Sequence, residues 1–246
     1  MPLAVDLARD HDVRGSYRRE EVAAALRAGG VTPCPLDLPV TDHATVGDFL
    51  EDAQSLVITL PPGGRTHGEA ATDRYLELLE ALRPHLRPEL HVVYTSSTGV
   101  YGKAVEGTIT EESPLRPDTA SSRAVVAAER WLGEHADQLA VLRLGGLYGP
   151  GRDPSRFFVR REAIPDADAP VNMLSLHDAV AALRFVVHQR VTGIFNLCAS
   201  AHLTRRAFYG MSYRAAGLPP KPFLPGGAGG KRVDPSKFNR LGGPSL

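Results

Sequence analysis

Three short segments hold the side chains best placed to do chemistry. The first is Thr95-Ser96-Ser97-Thr98-Gly99-Val100-Tyr101-Gly102, which follows the apolar run from His91 to Thr95. Four consecutive hydroxyl residues at a strand end can donate several hydrogen bonds to a bound oxygen, although Ser and Thr in turns also bond their own backbone. The second runs from Leu142-Arg143 to Tyr148-Gly149-Pro150-Gly151-Arg152, a glycine-rich loop behind the apolar run from Leu139 to Leu144. The third is Leu60-Pro61-Pro62, where two prolines keep backbone and apolar surface open to a flat ligand. Ligands of open parallel sheets gather beyond the carboxyl ends of the strands, and each segment stands at such an end.

The elements that must position these segments follow from apolar spacing. Residues 3 to 10 read as a short helix. A strand is expected over 12 to 18, and a helix over 20 to 28 closed by Gly29-Gly30. Residues 31 to 38 read as an edge or irregular strand because of Pro33 and Pro35. The continuous apolar run from Ser55 to Leu60 suits a strand buried on both faces. Helical spacing of Tyr75, Leu76, Leu78, Leu79 and Leu82 predicts a crossover helix over 70 to 86. Further strands are expected at 91 to 95, 139 to 144 and 193 to 197. Further helices are expected at 121 to 135, capped by Ser121 or Ser122, at 178 to 189 and at 203 to 216. Alternation of this kind implies right-handed βαβ units in a parallel sheet covered on both faces, an α/β fold.

Composition narrows the function. The 246 residues contain 28 Lys and Arg against 28 Asp and Glu, so no global charge draws the chain to nucleic acid or a membrane surface. No uncharged apolar run reaches the roughly 20 residues of a membrane helix. The start lacks the basic-then-apolar order of a signal peptide, so a cytoplasmic protein is expected. Cys34 and Cys198 have no metal-type spacing, and no metal ligand set is read from the sequence.

Taken together and in this order, the segments resemble the NAD(P)-dependent epimerase/dehydratase family, the extended and atypical short-chain dehydrogenases/reductases. The resemblance runs from about Leu7 to Val233. It rests on Ser97-x-x-x-Tyr101-Gly102 and on the loop from Leu142-Arg143 to Tyr148-Gly149-Pro150-Gly151. Asp37-Leu38, His177-Asp178, Gly193-x-Phe195-Asn196 and Gly230-Lys231-Arg232-Val233 support it. The resemblance implies a Rossmann-like doubly wound sheet with a small C-terminal substrate lobe. The dinucleotide-binding domain would span 1–147, completed by 171–199, and the lobe would take 148–170 and 200–246. It further implies a catalytic role for Ser97, as the hydroxyl meeting the substrate's reacting oxygen, while Tyr101 is a catalytic candidate only as a replacement acid. Cofactor contacts would come from Leu60, Pro61, Pro62, Thr95 and Ser96 on the nicotinamide side, and from Asp37 and Leu38 at the adenine. Basic residues after the second family strand pair with the extra phosphate of NADP, so Arg18 and Arg19 favour NADP over NAD. A small-molecule substrate is implied, and the family's helix-bundle pairing leaves a homodimer open.

Two departures from the family pattern stand out. The family opens with a strand and a glycine-rich phosphate-binding turn, whereas residues 3 to 10 align with the helix that follows that turn. A start set too far downstream is favoured over true loss of a central strand, which would expose apolar side chains and unpaired backbone. The second departure concerns the Tyr-x-x-x-Lys pair, in which lysine lowers the tyrosine pKa for proton exchange. Four residues before Lys103, Lys221, Lys231 and Lys237 stand Gly99, Gly217, Gly227 and Val233, none a tyrosine. Ser121 and Val125 occupy the equivalent positions, leaving Tyr101, Tyr148 and His177 as alternative acids. The reading is an atypical NAD(P)-dependent oxidoreductase or epimerase-like protein acting on a hydroxyl- or carbonyl-bearing substrate such as a nucleotide sugar. The alternative is a catalytically inert nucleotide-binding or regulatory member of the same fold. A hydrolase using Ser97 ranks third, because Ser97 lacks the first glycine of a nucleophile elbow.

Overall fold

The computed structural model describes Met1–Leu246, with strands and helices alternating along the chain. Helix α1 (Pro2–Leu7) opens it, followed by β1 (Arg14–Tyr17), α2 (Glu20–Ala28) and β2 (Thr32–Pro35). Gly29 and Gly30 close α2 as expected, and each does so for a physical reason. A Cβ on Gly29 would lie 2.4 Å from Val5 Cγ2, so α1 packs onto bare backbone there. Gly30 takes φ +75°, which L side chains rarely adopt, and lets Val31 N–H return to the Leu26 carbonyl at 3.0 Å. β1 and β2 are parallel, in register from Arg14 opposite Thr32 to Tyr17 opposite Pro35, and form a sheet of their own.

Helix α3 (His43–Leu50) was not foreseen from the sequence; Asp42 caps it by accepting from Thr45 N at 3.0 Å. Then come β3 (Ser55–Ile58), the single-turn α4 (Gly64–His67) and α5 (Ala71–Glu80). The spacing predicted a helix continuing to residue 86. It stops at Glu80 because Pro84 lacks an N–H and its ring would meet the carbonyl four residues earlier, and a 3-10 turn over Arg83–His85 follows instead.

β4 (His91–Ser97) is buried from His91 through Tyr94 with no alternation, as expected for a strand covered on both faces. A 3-10 turn over Thr98–Tyr101 leads to β5 (Gly107–Ile109) and α6 (Ala120–His135). The cap of α6 lies earlier than the sequence suggested. Thr119 is the N-cap, its Oγ1 accepting from Ser122 N at 3.1 Å while Thr119 N donates to Ser122 Oγ at 3.0 Å, a reciprocal capping box. β6 (Gln138–Leu144) follows, then β7 (Gly146–Tyr148) inside the segment read as loop, and β8 (Met173–Ser175). The chain ends through α7 (Leu176–Gln189), β9 (Gly193–Leu197), α8 (Arg205–Ala215), β10 (Lys231–Val233) and α9 (Ser236–Asn239).

The main sheet has the order β3-β4-β6-β9, with β3 and β4 parallel from Ser55 opposite His91 to Ile58 opposite Tyr94. Parallel strands joined through helices give the Rossmann-like α/β class expected. Contacts divide the chain into two compact units. The first comprises Met1–Thr95, Thr119–Val141 and Val180–Gly193; the second comprises Ser96–Asp118, Leu142–Ala179 and Ile194–Leu246. Within the second, β5 pairs parallel with β10, and β7 with β8. A cluster of Ile164, Val171, Met173, Tyr209 and Tyr213 forms a core of this unit. No helix is long and apolar enough to cross a membrane.

Candidate functional site

In the first unit, the residues expected to meet a dinucleotide stand at the carboxyl ends of β1, β2 and β3. Arg18 and Arg19 follow β1 directly and are exposed. Arg18 Nη1 lies 3.6 Å from Asp37 Oδ1, with 71% and 63% of the two side chains exposed, so solvent screens the pair and the guanidinium keeps donors free. The Asp37 backbone N–H donates to Thr41 Oγ1 at 2.7 Å, which fixes the turn carrying Asp37 and Leu38. Leu60 is held from below: its carbonyl accepts from Tyr75 Oη at 2.7 Å, and Tyr75 Oη accepts from Tyr94 at 3.3 Å. Burial pushes both phenol pKa values up, so both stay protonated and keep this chain of bonds. Pro61 is exposed and Pro62 partly so, ahead of Gly63 in the left-handed region at φ +64°. Thr95 Oγ1 donates to the Ile58 carbonyl at 3.0 Å, tying the end of β4 to the end of β3.

In the second unit, the end of β4 separates its two serines. Ser96 is buried, whereas Ser97 is exposed. Ser97 Oγ accepts from Gly99 N at 3.1 Å, an ordinary turn bond that leaves its own O–H proton available to donate. The turn after Ser97 is clamped by Lys231, whose ammonium donates to the carbonyls of Thr98 at 3.1 Å and Gly102 at 2.7 Å. Burial lowers the Lys231 pKa, with Asp118 pulling it back up.

Tyr101, expected beside Ser97 as a catalytic candidate, lies under this turn with no exposed surface. Its hydroxyl donates to Asn196 Oδ1 at 2.7 Å and accepts from Arg143 Nη1 at 2.8 Å. The Arg143 guanidinium also stands 5.1 Å from the Tyr101 ring centroid and donates to the Glu111 carbonyl. Burial raises the Tyr101 pKa and Arg143 opposes that rise. Asn196 N donates to Glu111 Oε1 at 2.7 Å, closing the network. The Tyr101 hydroxyl is therefore engaged in this buried network, donating to Asn196 and accepting from Arg143.

The other acids considered from the sequence lie elsewhere in the second unit. Tyr148 packs edge-on to Phe208, ring centroids 5.3 Å apart, beside the aromatic cluster. His177 is 92% exposed, its Nδ1 3.2 Å from Asp178 Oδ1. Ser121 and Val125, the expected counterparts of the Tyr-x-x-x-Lys pair, lie in the first two turns of α6, with Val125 buried. The contacts of Lys231 and Arg143 are not legible from the motifs that hold them, because their partners are remote in sequence.

Arg18 and Arg19 present exposed planar guanidinium forks, groups that suit a phosphate. Helix α2 starts with Arg19 as an N-cap without a side-chain bond and carries Glu20 and Glu21 in its first turn, which oppose an anion. Helix α1 starts at Pro2, and Ser16-Tyr17-Arg18 lead into the Arg19 cap of α2.

The family model described as "NAD dependent epimerase/dehydratase family" matches residues 3–167. Protein YeeZ of Escherichia coli (strain K12) is 38% identical over 257 residues, spanning 98% of this chain and 90% of that protein. Among solved structures, a functionally unknown conserved protein from Silicibacter pomeroyi superposes with TM-score 0.75 at 22% identity, covering 97% of this chain and 86% of its own. UDP-glucuronic acid 4-epimerase from Bacillus cereus in complex with NAD superposes with TM-score 0.75 at 15% identity, covering 97% and 87%. At these identities the two structures speak to the fold alone.

Proposed function

This chain belongs to the NAD dependent epimerase/dehydratase family, and from that premise we propose that it binds NADP in preference to NAD and holds the reacting oxygen of a small substrate at Ser97. The observation that carries this reading is the exposed Ser97 hydroxyl, presented at the end of a buried strand with its proton uncommitted. A donor held in place by the turn bond to Gly99 needs little reorganisation to meet an oxygen on which charge develops. The substrate class is a hydroxyl- or carbonyl-bearing small molecule, and nucleotide sugars are the first compounds to screen, since the Bacillus cereus epimerase is named for one. When bound, the dinucleotide supplies hydride transfer. Arg18 and Arg19 are the residues that would hold its ribose phosphate, and Leu60, Pro61, Pro62 and Thr95 those that would border its nicotinamide side. We place this binding in the cytoplasm, where Cys34 and Cys198 keep the free thiols found here.

A second reading, a nucleotide-binding member without chemistry, draws on Ser121 and on buried Val125 at the positions of the proton-transfer pair. Fluorescence titration with NADPH and with NADH, followed by a nucleotide-sugar screen, separates the readings. Saturable binding that prefers NADPH, with the preference lost in Arg18→Glu, supports the cofactor assignment. Loss of one charge-assisted contact of about 1.5 kcal/mol corresponds to roughly tenfold weaker NADPH binding with NADH little changed. Equal affinity for both cofactors, or none, overturns it. Turnover abolished by Ser97→Ala supports the enzyme reading, and binding without turnover across the screen supports the second.

A further inference from the structure

We propose that Asp10, His11 and His188 form a binding site for a borderline divalent cation of the zinc class, within the first unit and apart from the residues assigned above. The three side chains come from the segment after α1 and from the last turn of α7. His11 Nε2 and His188 Nε2 point at each other 2.8 Å apart, with the rings at 89°. The Asp10 carboxylate closes the third corner, Oδ1 lying 3.9 Å from His11 Nε2 and Oδ2 lying 3.6 Å from His188 Nε2. One ligand atom from each residue lies within 4.8 Å of the others.

These separations are those of ligands around one small ion. Zinc bonds imidazole nitrogen and carboxylate oxygen at about 2.0–2.2 Å, so ligand atoms around a tetrahedral ion stand roughly 3.3 Å apart. The His11–His188 edge at 2.8 Å and the His11–Asp10 Oδ1 edge at 3.9 Å bracket that value, and one carboxylate oxygen lies within 4.8 Å of both nitrogens, a gap that rotation of these exposed side chains closes. Two imidazoles and one carboxylate suit zinc in preference to magnesium or calcium, which take oxygen ligands. Three protein ligands leave a fourth position for water.

The carboxylate is oriented from behind. Arg184 Nη2 donates to Asp10 Oδ2 at 2.5 Å, while Nη1 donates to the Asp6 carbonyl at 2.9 Å and lies 3.2 Å from Asp6 Oδ2. This is the outer-shell support that metal-binding carboxylates receive elsewhere. It also keeps Oδ1, the oxygen Arg184 leaves free, for the ion. A cation here would clip the residues after α1 to a helix 177 positions later, the long-loop closure from which a cross-link draws most. The consequence is a cation-dependent stabilisation of the first unit.

The alternative occupant of the gap is a proton shared between the two imidazoles, and titration with metal decides between them. The probe is zinc chloride added to the full chain carrying Cys34→Ser, which removes the partly exposed thiol. Expected are one zinc per chain by calorimetry and a Tm that rises with zinc concentration. Cobalt should give the visible bands of a four-coordinate site. His188→Ala and, separately, Asp10→Asn should each weaken binding by more than about tenfold and abolish the Tm rise. Both positions are exposed, so the melting of the metal-free variants reports that they fold. Absence of zinc binding, or binding unchanged in both variants, overturns the site and leaves the shared proton as the explanation.

Discussion

A Cβ atom on Gly64 would stand 2.3 Å from Ser121 Oγ and 2.4 Å from Ser121 N. The turn after Pro61-Pro62 therefore rests directly on the first turn of α6, backbone against backbone. Only a glycine allows that approach, because no rotamer moves a backbone nitrogen out of the way. Gly64→Ala must push α4 off α6, and overpacking of this kind costs about 1–3 kcal/mol. For a chain of this size a loss of that order lowers Tm by about 2–4 °C per kcal/mol. Gly133, inside α6 with nothing within 4 Å of its Cβ position, provides the contrast. Gly133→Ala should raise Tm, since alanine is favoured in a helix by about 0.5–1 kcal/mol. Thermal melts of the two variants should move in opposite directions.

Lys231 links the C-terminal strand β10 to the turn that presents Ser97. Lys231→Met keeps the aliphatic stem but removes the ammonium from the carbonyls of Thr98 and Gly102. Each buried acceptor left without its donor costs about 1–3 kcal/mol. The expected result is a lower Tm together with faster amide exchange at Gly102, whose N–H bonds the Gly99 carbonyl at 3.1 Å within the same turn. Unchanged exchange at Gly102 would mean that the clamp does not hold the turn.

His91 makes the stability of the first unit depend on pH. It is fully buried in β4, its Nε2 donating to the Val191 carbonyl at 2.8 Å, with Ser55 Oγ 3.5 Å from Nδ1. Burial lowers its pKa below 6.5, the Val191 bond opposes the shift, and the Arg190 charge adds to it. Between the folded and unfolded pKa values the unfolded chain binds more protons than the folded one. Stability is therefore full above pH 6.5 and falls as the pH drops toward the folded pKa. Denaturant melts between pH 7.5 and 5 should show this decline. His91→Gln, which keeps a donor toward Val191, should flatten that part of the profile while lowering stability at pH 7.5.

How much of this was legible depended on sequence distance. The run from His91 to Thr95 announced a buried strand because every residue is apolar or able to be buried, and Gly29-Gly30 announced a helix end because only glycine turns there. Helix α3 was missed because its buried face is only Val46 and Leu50, too few positions to show a period. β5, β7 and β10 are three residues each, shorter than any alternation can register. In the site, the hydroxyl cluster at 95–98 could be read locally. The Lys231 clamp, the Arg143–Tyr101–Asn196 network and the Asp10–His11–His188 triangle could not, since each joins residues tens to hundreds of positions apart.

Ser97 offers the sharpest separation of structure from chemistry. Its side chain is exposed and accepts one bond, from Gly99 N at 3.1 Å. Ser97→Ala frees that N–H in a turn reached by solvent, so the cost is at most about 1 kcal/mol, the net worth of one ordinary hydrogen bond. Tm should therefore move by only a few degrees. NADPH affinity should hold, because the ribose phosphate is assigned to Arg18 and Arg19. Turnover of the substrate identified by the screen should fall by about 10²–10³, the usual effect of removing a donor aimed at a developing oxyanion. Ser97→Thr, which restores the hydroxyl, should recover part of the rate. Equal turnover in Ser97→Ala and wild type would remove Ser97 from the reaction and return it to the turn.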